Sequence, residues 1–303
     1  MDKVINFGMP HVGELIFESI ETPGLFQFAL VSETWKVLAE NVLVKRWKGR
    51  MFEACKSGET KIVQLLLEHC ATKEIGLKTK DEDGWTALIW ACYNGHKDVV
   101  KLLLDHSERI EMDARCNGGW TAFMLACRYG HKDIVQLFLL KHPERIELNA
   151  RDNYGNNAFL VACRNGHEGV IKLLLNHADS IELNGRNNSR STAFILACCN
   201  GHKYVVKLLL DHTRRIELNA RIGGWTAFML ACKNGHKDVV ELLLNHADSI
   251  ELNASNYFGM TAFMMACENL HKDVVKLLLN FSNIVDTNFP NGLPQRIVDF
   301  LKN

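Results

Sequence analysis

The segment Gly95-His96-Lys97-Asp98-Val99-Val100-Lys101-Leu102-Leu103-Leu104 decides the fold, because versions of it return along most of the chain. An Ala-Cys pair precedes each version in the same register, and Ala54-Cys55 marks one further, earlier copy. A segment that returns at a fixed period indicates stacked supersecondary units. The equivalent histidines lie 34 to 36 residues apart: His96, His131, His167, His202, His236 and His271. We therefore predict seven units within residues 51–289.

Each unit is predicted to contain two short antiparallel helices and a protruding loop. Thr86 can cap the first helix, because its hydroxyl can accept a hydrogen bond from an unpaired amide of the first turn. Gly95 can end that helix in the left-handed conformation. The second helix is expected to start near Lys97, and its buried stripe is Val99, Val100, Leu102, Leu103 and Leu104. One unit cannot bury this stripe alone, so the units must stack.

These residues resemble the ankyrin repeat, whose pattern is matched by Asp81-Glu82-Asp83-Gly84-Trp85-Thr86 and by the segment that starts at Gly95. The resemblance implies an all-α solenoid of helix-turn-helix repeats with protruding loops. Thr121-Ala122-Phe123-Met124 replaces the family's Thr-Pro-Leu-His, and the period is about two residues longer than the usual 33. We expect an altered loop near Ser107 and an unchanged fold. The expected repeats are 51–80, 81–115, 116–151, 152–186, 187–220, 221–255 and 256–289, followed by a capping helix within 290–303.

Residues 1–50 lack the repeat and are predicted to form three short helices, the first two separated by a turn at Pro23-Gly24, with Ser32 as the cap of the third. Their order of apolar segments, with Val31-Ser32-x-x-Trp35 as its most specific part, resembles an F-box. That resemblance implies docking onto the Skp-type adaptor of a cullin-RING ubiquitin ligase. The implied contact residues are Met9, Pro10, Leu15, Ile16, Ile20, Leu30, Val31 and Trp35. The alternative is that the segment only caps the first repeat.

The composition limits the classes of partner and the compartment. Lysine plus arginine number 35, and so do aspartate plus glutamate, so no net charge favours nucleic acid or an anionic membrane as a partner. No apolar run approaches the ~20 residues needed to cross a bilayer. The first residues lack the pattern of a secretion signal. The expectation is therefore a cytoplasmic or nuclear protein with reduced thiols.

The 13 histidines and 10 cysteines do not predict a metal or catalytic site, because most of them recur at fixed repeat positions. The histidines of the repeated segment are expected to bond loop backbone, and the Ala-Cys pairs to fill the seams between repeats. Four recurring asparagines are likewise expected to bond loop backbone: Asn149, Asn184, Asn219 and Asn253. The sequence has no phosphate-binding loop, nucleophile elbow or zinc-binding helix motif. We expect no cofactor, no metal and no enzymatic activity.

In ankyrin proteins the partner surface consists of the loop tips and the exposed side of the first helix. Matched residue by residue, this resemblance nominates Trp85, Tyr93, Trp120, Arg128, Tyr129, Tyr154, Asn156, Arg164, Trp225, Lys233, Tyr257 and Phe258. Tryptophan, tyrosine and arginine are typical of interface hot spots. The alternative for the tryptophans is packing over a neighbouring loop, and the two roles can coexist.

The two resemblances together lead to one functional hypothesis. The N-terminus would join a ubiquitin ligase, and the repeats would hold the target protein. The alternative is a scaffold or binding protein with no role in ubiquitination, including one that acts on a host cell.

Overall fold

The computed structural model describes residues 20–28, 33–47, 50–69 and 76–289. Several predictions lie outside these residues: those on Met9, Pro10, Leu15, Ile16, Leu30, Val31, Ser32 and the capping helix within 290–303. The described residues form helices, turns and loops and contain no β-strand. This bears out the predicted all-α fold. The chain divides into two compact units, Met1–Asn117 and Gly118–Asn303.

The first unit opens with helices α1 (Thr22–Phe28) and α2 (Glu33–Trp47). The expectation of a turn at Pro23-Gly24 is wrong, because both residues lie in the first turn of α1. Proline is tolerated there, since its missing N–H would have no partner inside the helix. The buried residues of α2 are Leu38, Ala39, Val42 and Leu43.

The same unit contains two helix pairs that follow the predicted repeat. They are α3 (Met51–Ser57) with α4 (Thr60–His69), and α5 (Ala87–Asn94) with α6 (Lys97–Asp105). The first helices α3 and α5 pack side by side, and so do the second helices α4 and α6. Helix α2 packs on α4, so the N-terminal segment covers part of the first repeat.

The described part of the second unit contains five further helix pairs. They are α7 (Ala122–Arg128) with α8 (Lys132–Lys141), α9 (Ala158–Asn165) with α10 (Glu168–Leu175), α11 (Ala193–Cys199) with α12 (Lys203–Leu210), α13 (Ala227–Lys233) with α14 (Lys237–Leu244), and α15 (Ala262–Glu268) with α16 (Lys272–Asn280). Each first helix packs on the next first helix, and each second helix on the next second helix. This is the stacked arrangement that the period predicts.

Local chemistry sets the ends of the helices as the sequence indicates. The Thr86 hydroxyl accepts a hydrogen bond from the Ile89 amide at 3.3 Å, which confirms the predicted cap. Gly95 ends α5 with φ +77°. Of the predicted stripe of α6, only Leu102 is half-buried, while the other four residues are buried. The Ala-Cys pairs lie fully buried along the first helices, which suits seams where backbones approach closely.

The histidines of the repeated segment tie neighbouring repeats together. His167 Nε2 lies 2.7 Å from the backbone oxygen of Arg128, at the end of the preceding first helix. His96, His202, His236 and His271 bond the equivalent oxygens of Lys56, Arg164, Cys199 and Lys233. The prediction of backbone bonding is confirmed, but the accepting carbonyl belongs to the end of a helix and not to a loop.

The residues that lengthen the repeat form an altered loop, as predicted. A single 3-10 turn occupies Ser107–Arg109 in one repeat and Pro143–Arg145 in the next. Beyond this turn, the amide of Asn149 donates to the Ser180 oxygen at 2.9 Å, and its side-chain oxygen accepts from the Glu182 amide at 2.9 Å. Asn184, Asn219 and Asn253 repeat this bridge to the next loop.

Candidate protein-binding surface

Aromatic residues of the second repeat form a cluster at the base of a loop tip in the first unit. The ring centroids of Trp85 and Trp90 lie 4.5 Å apart, and that of Tyr93 lies 5.0 Å from Trp85. The Trp90 indole donates to Asp81 Oδ2 at 2.8 Å, and Lys56 Nζ lies 4.2 Å from the centroid of Trp90. Trp85 therefore packs within its own repeat and remains half-buried, with part of its surface open to solvent.

In the second unit, a cation from the end of the first helix stacks on a tryptophan of its own loop tip. The guanidinium carbon of Arg128 lies 4.6 Å from the Trp120 ring centroid, and Lys233 Nζ lies 4.6 Å from that of Trp225. Such a contact stabilises by roughly 0.5–1 kcal/mol at exposed sites. Because it uses the ring face, it positions the cation without neutralising its charge.

A groove of about 480 Å³, named here the arginine groove, opens between the first two repeats of the second unit. Its walls are Trp120 and Arg128 on one side and Tyr154 and Arg164 on the other. Asp152 lies in it but is buried, and its Oδ1 accepts hydrogen bonds from the backbone amides of Tyr154 and Asn156 at 2.9 and 2.7 Å. That carboxylate organises the loop, and the two guanidinium groups give the groove its charge.

A second groove of about 260 Å³, named here the Trp225 groove, lies two repeats further along the same unit. Trp225 and Lys233 form one side of it. The remaining residues that line it are Ser191, Ile195, Leu196, Cys199, Ile222 and Leu230. Apolar side chains dominate this lining, and Lys233 supplies its one cationic group. The arrangement suits an apolar side chain whose neighbours carry negative charge.

The remaining nominated residues of the repeats differ in exposure. Tyr154 is 71% exposed, and Tyr257 and Phe258 are each 83% exposed, whereas Tyr129 is 40% exposed. Tyrosine and phenylalanine are enriched at protein–protein interfaces relative to the rest of the surface. Asn156, in contrast, is only 4% exposed. Its amide nitrogen donates to Asp152 Oδ2 and its oxygen accepts from Asn187, so Asn156 lines the arginine groove from a buried position and is not exposed as expected.

Sequence reasoning missed two members of this surface. Lys56 and Trp90 were not nominated, although both take part in the aromatic cluster. A signal was present, because Lys56, Arg128, Arg164 and Lys233 all directly follow an Ala-Cys pair. Comparing that single position between repeats would have added Lys56 to the nominated residues Arg128, Arg164 and Lys233.

A second set of arginines is paired, in contrast to these cations. Arg151 bonds Glu182 at 2.5 Å and Arg186 bonds Glu217 at 2.7 Å. Arg221 pairs with Glu251 in the same way, and Arg215 with Asp179. No carboxylate in the described part of the chain lies within ion-pair distance of Arg128, Arg164 or Lys233. In the described residues, these four loop arginines are thus paired with carboxylates, whereas the cations beside the two grooves are not.

Two of the nominated F-box-like residues fall within the described part of the chain. Ile20 is half-buried just before α1. Its side chain contacts Gly24, since a Cβ added to that glycine would lie 2.6 Å from Ile20 Cγ2. Trp35 lies in the first turns of α2, and its side chain is outside the description. Nearby on α2, Val37 is 54% exposed, whereas Leu38 and Ala39 are buried.

The cysteine thiols of the seams are inert at neutral pH. Burial raises the pKa of Cys55, Cys127, Cys163 and Cys232 far above the ordinary value of a thiol. Burial, and secondarily Glu268, raise the pKa of Cys267 to about 12. Among the described residues, no group of three or more His, Cys, Asp or Glu side chains could hold a metal ion. In the same residues, every helix is too short or too polar to span a bilayer.

Comparisons with known proteins find relatives that are similar over short regions. Osteoclast-stimulating factor 1 of Monopterus albus is 46% identical over 55 residues, which are 18% of this chain and 24% of that protein. Its Danio rerio counterpart is 43% identical over 54 residues, 18% of this chain and 23% of that protein. Glycerophosphocholine phosphodiesterase GDE1 of Candida albicans is 35% identical over 95 residues, 31% of this chain and 8% of that protein.

The chain therefore spans about a quarter or less of the length of these relatives. The family model for ankyrin repeats covers much more of the chain, because its three matches run over residues 51–152, 139–222 and 216–290. The fold is typically a non-catalytic scaffold for protein–protein interaction. On this evidence the chain belongs to the ankyrin repeat family.

Proposed function

We propose that this ankyrin repeat protein is the substrate receptor of a cullin-RING ubiquitin ligase and acts in the cytosol or nucleus. Residues 1–50 would bind the Skp-type adaptor, and seven repeats within 51–289 would hold the target protein. The chain itself would catalyse nothing. It would raise the concentration of the target's lysines near the ligase.

The observation that carries the binding role is the contrast between paired and unpaired cations. Arg186 and Arg221 are held by glutamates, whereas Arg128 and Lys233 stack on tryptophans and face no carboxylate in the described residues. A protein gains little stability from holding a cation over a half-buried ring at its surface, so the arrangement favours a role in recognition. Exposed Tyr154, next to Arg128 and Arg164 in the arginine groove, adds the composition of an interface hot spot.

The ligase role rests on the resemblance of residues 1–50 to an F-box. A domain of about fifty residues has a marginal core and gains stability by burying apolar surface against a neighbour. Helix α2 uses Leu38, Ala39, Val42 and Leu43 for its buried side, and it packs on α4 of the first repeat. Val37 stays exposed on the same helix, so α2 keeps an apolar residue available to a partner.

A pull-down with purified Skp-type adaptor tests this role on the full chain. We expect the wild-type chain to be retained, and the double variant Pro10→Ala, Trp35→Ala to be lost. The matched control is Glu33→Ala, Lys36→Ala, which removes an exposed ion pair of 3.7 Å from the same helix and should leave retention unchanged. An unaltered melting curve would show that the repeats remain folded in both variants.

The scaffold alternative has its own support in the contact between α2 and α4. A segment that only caps the first repeat would pack on α4 in this way and would not need to bind an adaptor. If the wild-type chain fails to retain the adaptor, the ligase role is wrong and the cap is the better description. Loss of retention in the Glu33→Ala, Lys36→Ala control would likewise contradict the assigned contact residues.

A further inference from the structure

We propose that the second unit binds an extended acidic peptide segment of its partner, with carboxylates at Arg128 and Arg164 and an apolar side chain in the Trp225 groove. This inference rests on the proposed binding role of the repeats and names the chemistry of the partner. It does not depend on the ubiquitin ligase.

The charge of the grooves favours an acidic ligand. Arg128 and Arg164 line one groove, Lys233 lines the other, and the opposing carboxylate of Asp152 is buried. Asp152 already accepts hydrogen bonds from two backbone amides and from the Asn156 side chain. The residues that line each groove therefore carry a net positive charge, although the whole chain carries no net charge.

The geometry of Arg128 suits a carboxylate. Its guanidinium carbon lies 4.6 Å from the Trp120 ring centroid and 5.6 Å from the Tyr129 ring centroid. A cation–π contact holds the guanidinium over the ring without a hydrogen bond, so it leaves the N–H groups of Arg128 able to donate to a ligand. A carboxylate can accept two parallel hydrogen bonds from a guanidinium, which a lysine in this place could not offer.

The second groove makes a peptide the favoured ligand. Ile195, Ile222 and Trp225 give it an apolar lining that a small inorganic anion would not use. Ile222 and Trp225 are also joined by two backbone hydrogen bonds, 3.0 and 2.9 Å, which hold the tip of this loop in shape. A ligand that fills both grooves must carry acidic groups and an apolar group on one chain. Extended peptides meet this requirement, because successive residues advance about 3.3 Å each.

A single-stranded nucleic acid also combines anionic and aromatic groups, and the balance of charge argues against it. Nucleic-acid affinity depends on many phosphate contacts. The two grooves offer three cations. Nucleic acid is therefore an outcome that the experiment must be able to reveal.

The experiment selects binders from phage-displayed random peptides of twelve residues on the full chain. We expect the enriched peptides to contain at least two Asp or Glu residues and one large apolar residue. Binding of the tightest peptide should weaken about tenfold or more in the double variant Arg128→Gln, Arg164→Gln, and should weaken with added salt. It should also weaken when the acidic residues of the peptide become Asn and Gln.

The matched control is Arg186→Gln, Arg221→Gln, which removes the same charge from two paired arginines of the same unit. That control should change the affinity less than twofold. Ile222→Asn tests the apolar groove on its own, and it should weaken peptides that carry the apolar residue. Circular dichroism confirms that each variant is folded.

Five results would overturn the inference, and the first three concern the selected ligand and the control. One is an enriched peptide set without acidic residues, and another is equal loss of binding in the control. The third is binding of an oligo-dT probe that depends on Arg128 and Arg164, which would favour nucleic acid. If a peptide binds but its affinity depends on Trp85 and Tyr93 and not on Arg128 and Arg164, this inference fails while the proposed binding role stands. If the chain selects no peptide, the inference fails, and an additional failure to retain the Skp-type adaptor would count against the proposed function itself.

Discussion

The imidazole Nε2 of His202 lies 2.8 Å from the backbone oxygen of Arg164, so a side chain of one repeat caps the first helix of the repeat before it. The ring also fills the space beside Gly166, where an added Cβ would lie 2.6 Å from Nδ1. Helix ends leave backbone carbonyls unpaired, and the histidine satisfies one of them. The recurring histidine of the repeated segment, a residue type that often binds metals, thus connects one repeat to the next through a hydrogen bond.

We expect His202→Ala to lower the free energy of unfolding by about 1–3 kcal/mol, because the Arg164 carbonyl loses its partner and a gap opens beside Gly166. Urea unfolding followed by circular dichroism measures this change. The control is His177→Ala, since the described residues offer that half-buried ring no hydrogen-bond partner. Its effect should stay within about 0.5 kcal/mol. Equal losses in the two variants would contradict the structural role of His202.

Gly155 and Gly259 occupy the same position in different repeats and have φ values of +75° and +73°. An added Cβ at Gly155 would collide with Asn188 Oδ1 and approach the Asn188 backbone nitrogen to 2.9 Å, whereas Gly259 has no atom within 4 Å. Gly155→Ala should therefore destabilise the chain by at least about 1 kcal/mol more than Gly259→Ala, which carries only the backbone strain. Thermal unfolding of both variants measures the difference. A larger loss at Gly259 would contradict the contact between these two loops.

Leu270 and Arg190 adopt left-handed backbone conformations, with φ of +58° and +62°, at positions where other repeats have glycine. Because side chains are strained there, Leu270→Gly and Arg190→Gly should each raise the free energy of unfolding by up to about 1 kcal/mol. Urea titration checks the gain. Leu279→Gly is the opposite control, since that exposed residue lies inside α16, where glycine costs about 1 kcal/mol. A loss of stability on Leu270→Gly would contradict the assigned backbone strain.

The burial of the seam cysteines predicts how the stability of the folded chain depends on pH. Their pKa is raised in the folded chain, whereas unfolded cysteine ionises near pH 8.5. The unfolded state therefore loses protons first, so stability is fully present below about pH 8.5 and declines as the pH rises above it. Urea midpoints at pH 7, 9 and 10 should fall in that order. A midpoint that rises between pH 7 and 10 would contradict this account.

Labelling with a thiol reagent gives an independent check on single residues. Mass-spectrometric peptide mapping should find Cys199 modified in the native chain, since it is half-buried in the Trp225 groove. Cys127 and Cys163 should be labelled only after unfolding. Cys199→Ser is the control that removes the early signal at this site. Native labelling of Cys163 at the rate of Cys199 would show that the seam is open.

Most of the fold could be predicted because the residues that start and end its helices recur at the same positions in successive repeats. Thr86 and Gly95 mark helix ends through backbone rules that hold in any context, and the structure confirms both. Pro23 misled the prediction, since a proline can either break a helix or open one, and only the surrounding chain decides.

The binding surface was harder to predict, because it depends on where long side chains point. Asn156 stands where three other repeats have tryptophan, and it was expected at the surface. Its side chain is buried instead, because it forms hydrogen bonds with Asp152 and Asn187. The stacking of Arg128 on Trp120 joins residues from a helix and a loop whose side-chain rotamers no local rule sets. The pairing of Arg186 with Glu217 was missed as well, although both residues belong to patterns that recur in the sequence.

Hydrogen–deuterium exchange on the full chain, with and without the tightest display-selected peptide, tests the central claim most directly. The claim is that loop tips and first-helix ends of the repeats form the partner-binding surface. It predicts slower exchange of amides at the loop tips and first helices near Arg128, Arg164 and Lys233, with the second helices α8 and α14 unchanged. Protection confined to the second helices, or none at saturating peptide, would contradict it.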